Sequence, residues 1–321
     1  MSSPSGNVNG VMRVIDAAAA TSAVDVDPVD PTPVIHAGVH RIGGRTVAYK
    51  LFEPTRPVRP AAPLIVMLHG CTQDADDFAL GTAMNAVAEE EGLYVLYPMQ
   101  NGAANINKCW NWFKPSHQRR ERGEPRRLAA LTRDVCENHA IDTRRVFVAG
   151  LSAGGSMALI LAETYPELFA AVGVHSGLAT GVARSLPQAL SLMKSGVPRK
   201  ARSASKSTTP IEIPPKPHFV IHGGMDQVVH SDNAQLIVDA CLSRIAEGTE
   251  ITAQTRLGKG MQQRGYSQTT YKDRSRRVIC EHWHVPAGTH AWSGGNPAGS
   301  HTESEGPDAS LEMVRFFLAS A

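Results

Sequence analysis

The chain has 321 residues, 42% of them hydrophobic and 19% charged, and a formal net charge of +2. That balance excludes wholesale disorder and gives no electrostatic reason to expect a nucleic-acid partner. The length allows one large α/β domain or two small ones, and the longest apolar run, around residues 61–68, is strand-sized rather than a bilayer span.

Residues 1–33 lack a basic region followed by a long apolar core, so they are expected to be a disordered lead-in rather than a secretory signal. Order is expected from Val34, where apolar and polar residues alternate on both sides of Gly43-Gly44 as in a β-hairpin. "APLIVMLHG" reads as a strand buried on both faces of a parallel sheet. A helix is expected near Gly81 to Glu91, then a strand at Leu93 to Pro98. The alternation continues with a helix from Arg126 to His139, a strand from Arg145 to Ala149, a helix from Ala153 to Glu163 and a strand from Phe169 to His175. After a shorter helix come a strand at Phe219, a helix from Asn233 to Ile245, a strand over Thr269 to Val285 and a last helix from Asp308 to Leu318.

Alternating strands and helices opened by a hairpin point to an α/β fold over 34–321, with one doubly wound, mostly parallel sheet and helices on both faces. Two segments break the rhythm: a polar insertion at 99–125 containing "CWNWF" and a basic run, and a basic stretch at 195–217 expected to be a mobile surface loop.

Between a strand and a helix the chain reads Gly150-Leu151-Ser152-Ala153-Gly154. In a nucleophile elbow the small flanking residues leave room for a strained turn that raises the serine hydroxyl above the sheet. A serine needs a base, and the base an orienting acid, each on a loop after a later strand. His290 fits the base, in a Gly-rich loop after the last strand; His282, His284 and His301 are the alternatives. Asp226 fits the acid just past a strand, whereas Asp232 and Asp239 fit a helix start and a helix face. His69-Gly70-Cys71 can turn the N–H of Cys71 toward the site, with the N–H of Ala153 completing an oxyanion hole; the plainer role of Gly70 is to end the strand. Trp110, Trp112 and Trp292 either border the site and grip a substrate, or pack the insertion onto the domain.

With "LHGCTQ", "CWNWF", "GLSAGG", "GVHSG", "GGMDQVV" and "GTHAWSGG" in this order, the chain resembles the polyhydroxybutyrate depolymerase-like esterases, relatives of the feruloyl and acetylxylan esterases of carbohydrate esterase family one. The resemblance runs from about Gly38 to Leu318 and implies an α/β-hydrolase fold and a serine esterase forming an acyl-enzyme through Ser152, Asp226 and His290. It implies a disulfide between Cys71 and Cys109, two small buried thiols being the alternative. The expected substrates are 3-hydroxyalkanoate oligomers or small esters. The alternatives are feruloyl or acetylated polysaccharide esters, and further off a serine peptidase or a silent hydrolase-fold binding protein. No metal or cofactor is expected, and the sequence leaves the oligomeric state open. As given the chain reads as cytoplasmic; the resemblance favours secretion.

Overall fold

The computed structural model describes residues 33–196, 215–246, 248–262 and 264–321. The expected lead-in, apart from Pro33, and all but the ends of the expected basic loop lie outside these residues.

The hairpin is β1 (Val34–Ile42) and β2 (Arg45–Glu53), paired antiparallel. Next come β3 (Ala62–Leu68), α1 (Ala75–Thr82), α2 (Met84–Glu91) and β4 (Tyr94–Met99). After the insertion follow α3 (Gly123–Asn138), β5 (Ile141–Leu151), α4 (Ala153–Thr164), β6 (Ala171–His175), α5 (Leu186–Ser195) and β7 (His218–Gly223). The last part holds α6 (Asp232–Ser243), β8 (Thr252–Lys259), β9 (Gly265–Lys272), β10 (Val278–Val285), two short strands β11 (Trp292–Ser293) and β12 (Thr302–Glu303), and α7 (Ala309–Ala319).

Ten strands form one sheet in the order β1-β2-β4-β3-β5-β6-β7-β10-β9-β8. The run from β4 to β10 is parallel, with antiparallel strands added at both sides. Every residue of β3 is buried, and alternate side chains enter different layers. Leu64, Val66 and Leu68 join Leu131, Met157 and Leu236 from α3, α4 and α6. Ile65 and Met67 join Phe78, Met84, Met313 and Phe317 from α1, α2 and α7. Helices thus cover both faces, as a sheet without a polar side requires.

Chain order reverses at β3, whose neighbours are β4 and β5. Open α/β sheets bind ligands beyond the carboxyl ends of their strands at such a switch point. His69-Gly70 follows β3 and Ser152 follows β5, so both stand there.

Two elements differ from expectation. The helix expected at Gly81 to Glu91 is two helices, broken at Ala83 with φ 51°. The carbonyl of Gly81 accepts from Asn296 N–H at 2.8 Å, and Gly299 packs on Gly81 itself, so a distant loop takes the bond that would continue the helix. The strand expected over Thr269 to Val285 is a hairpin, β9 and β10, turning at Asp273–Arg277 and extended by β8.

Candidate active site

Buried β5 ends at Leu151 and the chain turns into α4 through Ser152, which has φ 57° and ψ −118°. A non-glycine residue in this region stores strain, held here by close packing. A Cβ on Gly154 would lie 1.9 Å from Leu68 O, and one on Gly150 would lie 2.5 Å from Gly154 C. The first turn of α4 therefore passes against the end of β3 with room only for hydrogen atoms. Ser152 N–H donates to His175 O at 2.8 Å, and its carbonyl accepts from Ser156 N–H at 3.0 Å. Ser152 is 7% exposed. Its hydroxyl makes no hydrogen bond among the described residues; such contacts often tighten only when substrate binds.

Asp226 and His290 are brought together. The loops after β7 and β10 are knit by Gly224 N–H to Val285 O at 2.8 Å and Met225 N–H to Gly288 O at 2.9 Å. Across that seam His290 Nδ1–H donates to Asp226 Oδ2 at 2.7 Å. The other carboxylate oxygen accepts from Val228 N–H and Val229 N–H at 2.9 and 2.8 Å. His222 Nε2–H donates to Val229 O at 2.8 Å and lies 3.3 Å from Asp226 Oδ2. Burial alone would raise the Asp226 pKa, but the contacts from His222 and His290 outweigh it and hold the carboxyl well below its usual range. With Nδ1 donating, the Nε2 of neutral His290 is a free acceptor.

The competing candidates stand elsewhere. Asp232 opens α6, and Asp239 accepts from Gln235 on the same helix. His282 and His284 lie within β10, with burial pushing His282 down to about 4. His301 lies in an exposed loop 3.4 Å from Thr72 Oγ1.

The loop after β3 is braced from behind. Gln100 N–H donates to His69 Nε2 at 3.1 Å, which leaves the proton on Nδ1, and Nδ1–H donates to Gly70 O at 2.7 Å. Gly70 C=O and Cys71 N–H belong to one peptide unit and point in opposite directions, so pinning the carbonyl aims the N–H. Neither Cys71 N–H nor Ala153 N–H donates to another described residue. A disulfide joins Cys71 to Cys109 and the insertion, while Cys136, Cys241 and Cys280 are free. Burial keeps the His69 pKa below its ordinary value, so the ring stays neutral and its acceptor persists.

The insertion is organised by a carboxylate that sequence reasoning missed. Glu124 is buried; Oε1 accepts from Gln100 Nε2 and Asn111 Nδ2, and Oε2 accepts from Asn111 N–H, each at 2.7 Å. His117 Nδ1 lies 3.3 Å from Oε2 without hydrogen-bond alignment. A Glu between Gly123 and Pro125 in a basic run looks like a surface counter-charge, and only the neighbouring Asn and Gln residues hinted at a buried acceptor.

Of the two readings of the tryptophans, packing has the support of their burial. Trp110, Trp112 and Trp292 are 2%, 5% and 1% exposed, so each ring is packed into the domain. Trp110 Nε1–H donates to His69 O and Trp292 Nε1–H to Ser310 Oγ, both at 3.1 Å, while Trp112 meets Phe113 edge-on. Burying a large ring with its N–H satisfied is the favourable arrangement. A cavity of about 210 Å³ lies beside the insertion rather than over Ser152, lined among others by Arg45, Gln100, Trp110, Glu124 and Arg127. In the basic run, Arg120 pairs with Glu167 and covers the Tyr165 ring, an ordinary surface arrangement.

Comparison with known proteins agrees with this architecture. The family model described as Esterase PHB depolymerase matches residues 47–263. The chain belongs to this family. Among curated relatives, poly(3-hydroxyalkanoate) depolymerase C of Paucimonas lemoignei is 36% identical over 195 residues, 59% of this chain and 47% of that protein. Feruloyl esterase B of Neurospora crassa is 34% identical over 117 residues, 36% of this chain and 39% of that protein. The chain thus matches less than half the length of these relatives. Among solved structures, an acetyl xylan esterase from Aspergillus awamori superposes with a TM-score of 0.64 at 18% identity, covering 80% of this chain and 94% of that one. At that identity the likeness speaks of fold, and the fold of this family member is the α/β-hydrolase fold.

Proposed function

We propose that this chain is a serine carboxylic ester hydrolase working through an acyl-enzyme. The observation that carries the proposal is the 2.7 Å bond from His290 Nδ1 to Asp226, at the same sheet edge as the Ser152 elbow. In this reading Ser152 Oγ attacks the ester carbonyl while His290 Nε2 takes its proton. Asp226 holds the imidazole and stabilises its cation, and the N–H groups of Cys71 and Ala153 receive the oxyanion. Collapse of the tetrahedral intermediate breaks the C–O bond, and the alcohol leaves with the proton from His290. Water then repeats the sequence on the acyl-serine and releases the acid.

The substrates we assign are 3-hydroxyalkanoate oligomers and small esters, supported by the family match and by the Paucimonas relative. A second reading, feruloyl or acetylated polysaccharide esters, has support from the Neurospora relative. A panel of 3-hydroxybutyrate oligomers, methyl ferulate and acetylated xylan separates the two by kcat/KM. The disulfide favours an oxidising compartment, hence export over the cytoplasm. No helix among the described residues is long and apolar enough to cross a membrane.

The test is Ser152→Ala on p-nitrophenyl butyrate, where kcat should fall by a factor on the order of 10⁵–10⁶. A fluorophosphonate should label Ser152 in the parent. A variant within tenfold of an active parent removes the serine mechanism, and a parent that is inactive and unlabelled leaves a silent hydrolase-fold protein as the better account.

A further inference from the structure

The strand β6 ends at His175, between β5, which leads to Ser152, and β7, which leads to Asp226. Three bonds leave this strand end. The carbonyl of His175 accepts from Ser152 N–H at 2.8 Å. Its Nε2 accepts from Ser293 N–H at 3.1 Å, three residues past His290. The next residue, Ser176, donates its N–H to Ile221 O in β7 at 3.0 Å. Because Nε2 accepts, the proton sits on Nδ1, which lies 3.2 Å from Ser176 Oγ and donates to it. The ring is 1% exposed and stacks on Trp292 with centroids 5.2 Å apart. Burial, with His222 and His290 nearby, pushes its pKa down to about 3, so the acceptor persists at neutral pH.

We propose that His175 is a positioning residue for the reaction: its main chain holds the elbow serine and its imidazole holds the loop carrying His290, setting the distance between nucleophile and base. This rests on the serine-hydrolase reading above. The residue acts through two backbone N–H groups, so its contribution is geometric. Misplacing reacting groups by about 1 Å costs roughly 10²-fold in rate. A side chain that only filled space would be replaceable by any ring of similar size.

Two substitutions separate these roles. His175→Phe keeps a stacking ring and removes the acceptor; His175→Gln keeps an acceptor near the Nε2 position and removes the ring. On p-nitrophenyl butyrate the Phe variant should lose about 10²-fold in kcat with KM within about twofold, and the Gln variant should recover most of that loss. A Phe variant within about threefold of the parent, or a Gln variant as impaired as Phe, overturns the proposal. Nitrogen-15 NMR of the parent decides independently of activity and of how the variants fold. At pH 7 His175 should carry its proton on Nδ1, and a proton on Nε2 overturns the proposal because Ser293 N–H would then have no acceptor. A parent that hydrolyses no ester and leaves Ser152 unlabelled sinks the hydrolase reading instead, a result distinct from the tautomer.

Discussion

A methyl group at Gly154 tests whether the elbow is held by contact. An ideal Cβ there lies 1.9 Å from Leu68 O and 2.6 Å from His69 O, both main-chain atoms. Bringing the closer contact out to 3.4 Å requires about 1.5 Å of movement. Leu68 O cannot swing aside, because Leu68 is paired with Gly150 in the sheet. The shift must come from the first turn of α4, which carries Ser152 and Ala153 N–H with it. Overpacking of this kind costs about 1–3 kcal/mol of stability, and a displacement of about 1 Å at reacting atoms costs about 10²-fold in rate. Gly154→Ala should therefore lower kcat/KM on p-nitrophenyl butyrate by about 10² or more while melting only several degrees early. Gly102→Ala is the control, since its Cβ meets nothing within 4 Å. Steady-state kinetics with calorimetry on both variants decides the matter; a Gly154→Ala enzyme within threefold of the parent refutes the account of the elbow.

Asp226→Asn should lower kcat by about 10⁴. With Val228 N–H and Val229 N–H on its oxygen, its NH₂ group faces His290 Nδ1 and forces the tautomer that cannot accept a proton from Ser152; a loss under tenfold contradicts this. Stability should fall on acidification in two windows. The buried rings of His175 and His282 stay neutral down to about 3 and about 4 when folded, yet take a proton near pH 6.5 when unfolded. The unfolded state then binds more protons, so stability drops as pH falls from about 6.5, by up to about 1.4 kcal/mol per unit for each ring. The depressed Asp226 carboxyl contributes fully above about pH 4 and loses its share below that. Urea unfolding that is flat between pH 7.5 and 5 refutes the histidine window. Replacing both Cys71 and Cys109 with Ser opens a link spanning 38 residues and should cost about 3–4 kcal/mol, with kcat falling more than KM. A cost under about 0.5 kcal/mol in urea unfolding would remove the disulfide as a brace.

What was legible in the sequence was local. The hairpin announced itself by alternation around two glycines, β3 by unbroken apolar character, and the elbow by small residues between a strand and a helix. Asp226 and His290 stood out as candidates because each follows a strand by a few residues. What stayed hidden depends on partners far along the chain. The break at Ala83 exists because Asn296 takes a helix carbonyl. The edge strand β8 shows no apolar alternation, since almost all of its residues are exposed and it buries no face. The tryptophans stayed open between gripping a substrate and packing because nothing in "CWNWF" reveals that His69 O waits for the indole N–H of Trp110. Glu124 gave no signal of its own, and His175 stood out only as part of "GVHSG" at the end of a central strand, because the groups they hold come from other loops.

The insertion has little regular secondary structure, yet it is tied down at Glu124, Cys109 and Trp110, while Gly102 and Ile106 stand clear, a Cβ on Gly102 meeting nothing within 4 Å and Ile106 being 91% exposed. Sequence drift at Gly102 and Ile106 is thereby insulated from those ties, whereas Asn105 is one of them, bonded to Asn111 and to Asn107 N–H. A lineage or a protein engineer can vary those two positions without disturbing the bonds that fix the insertion.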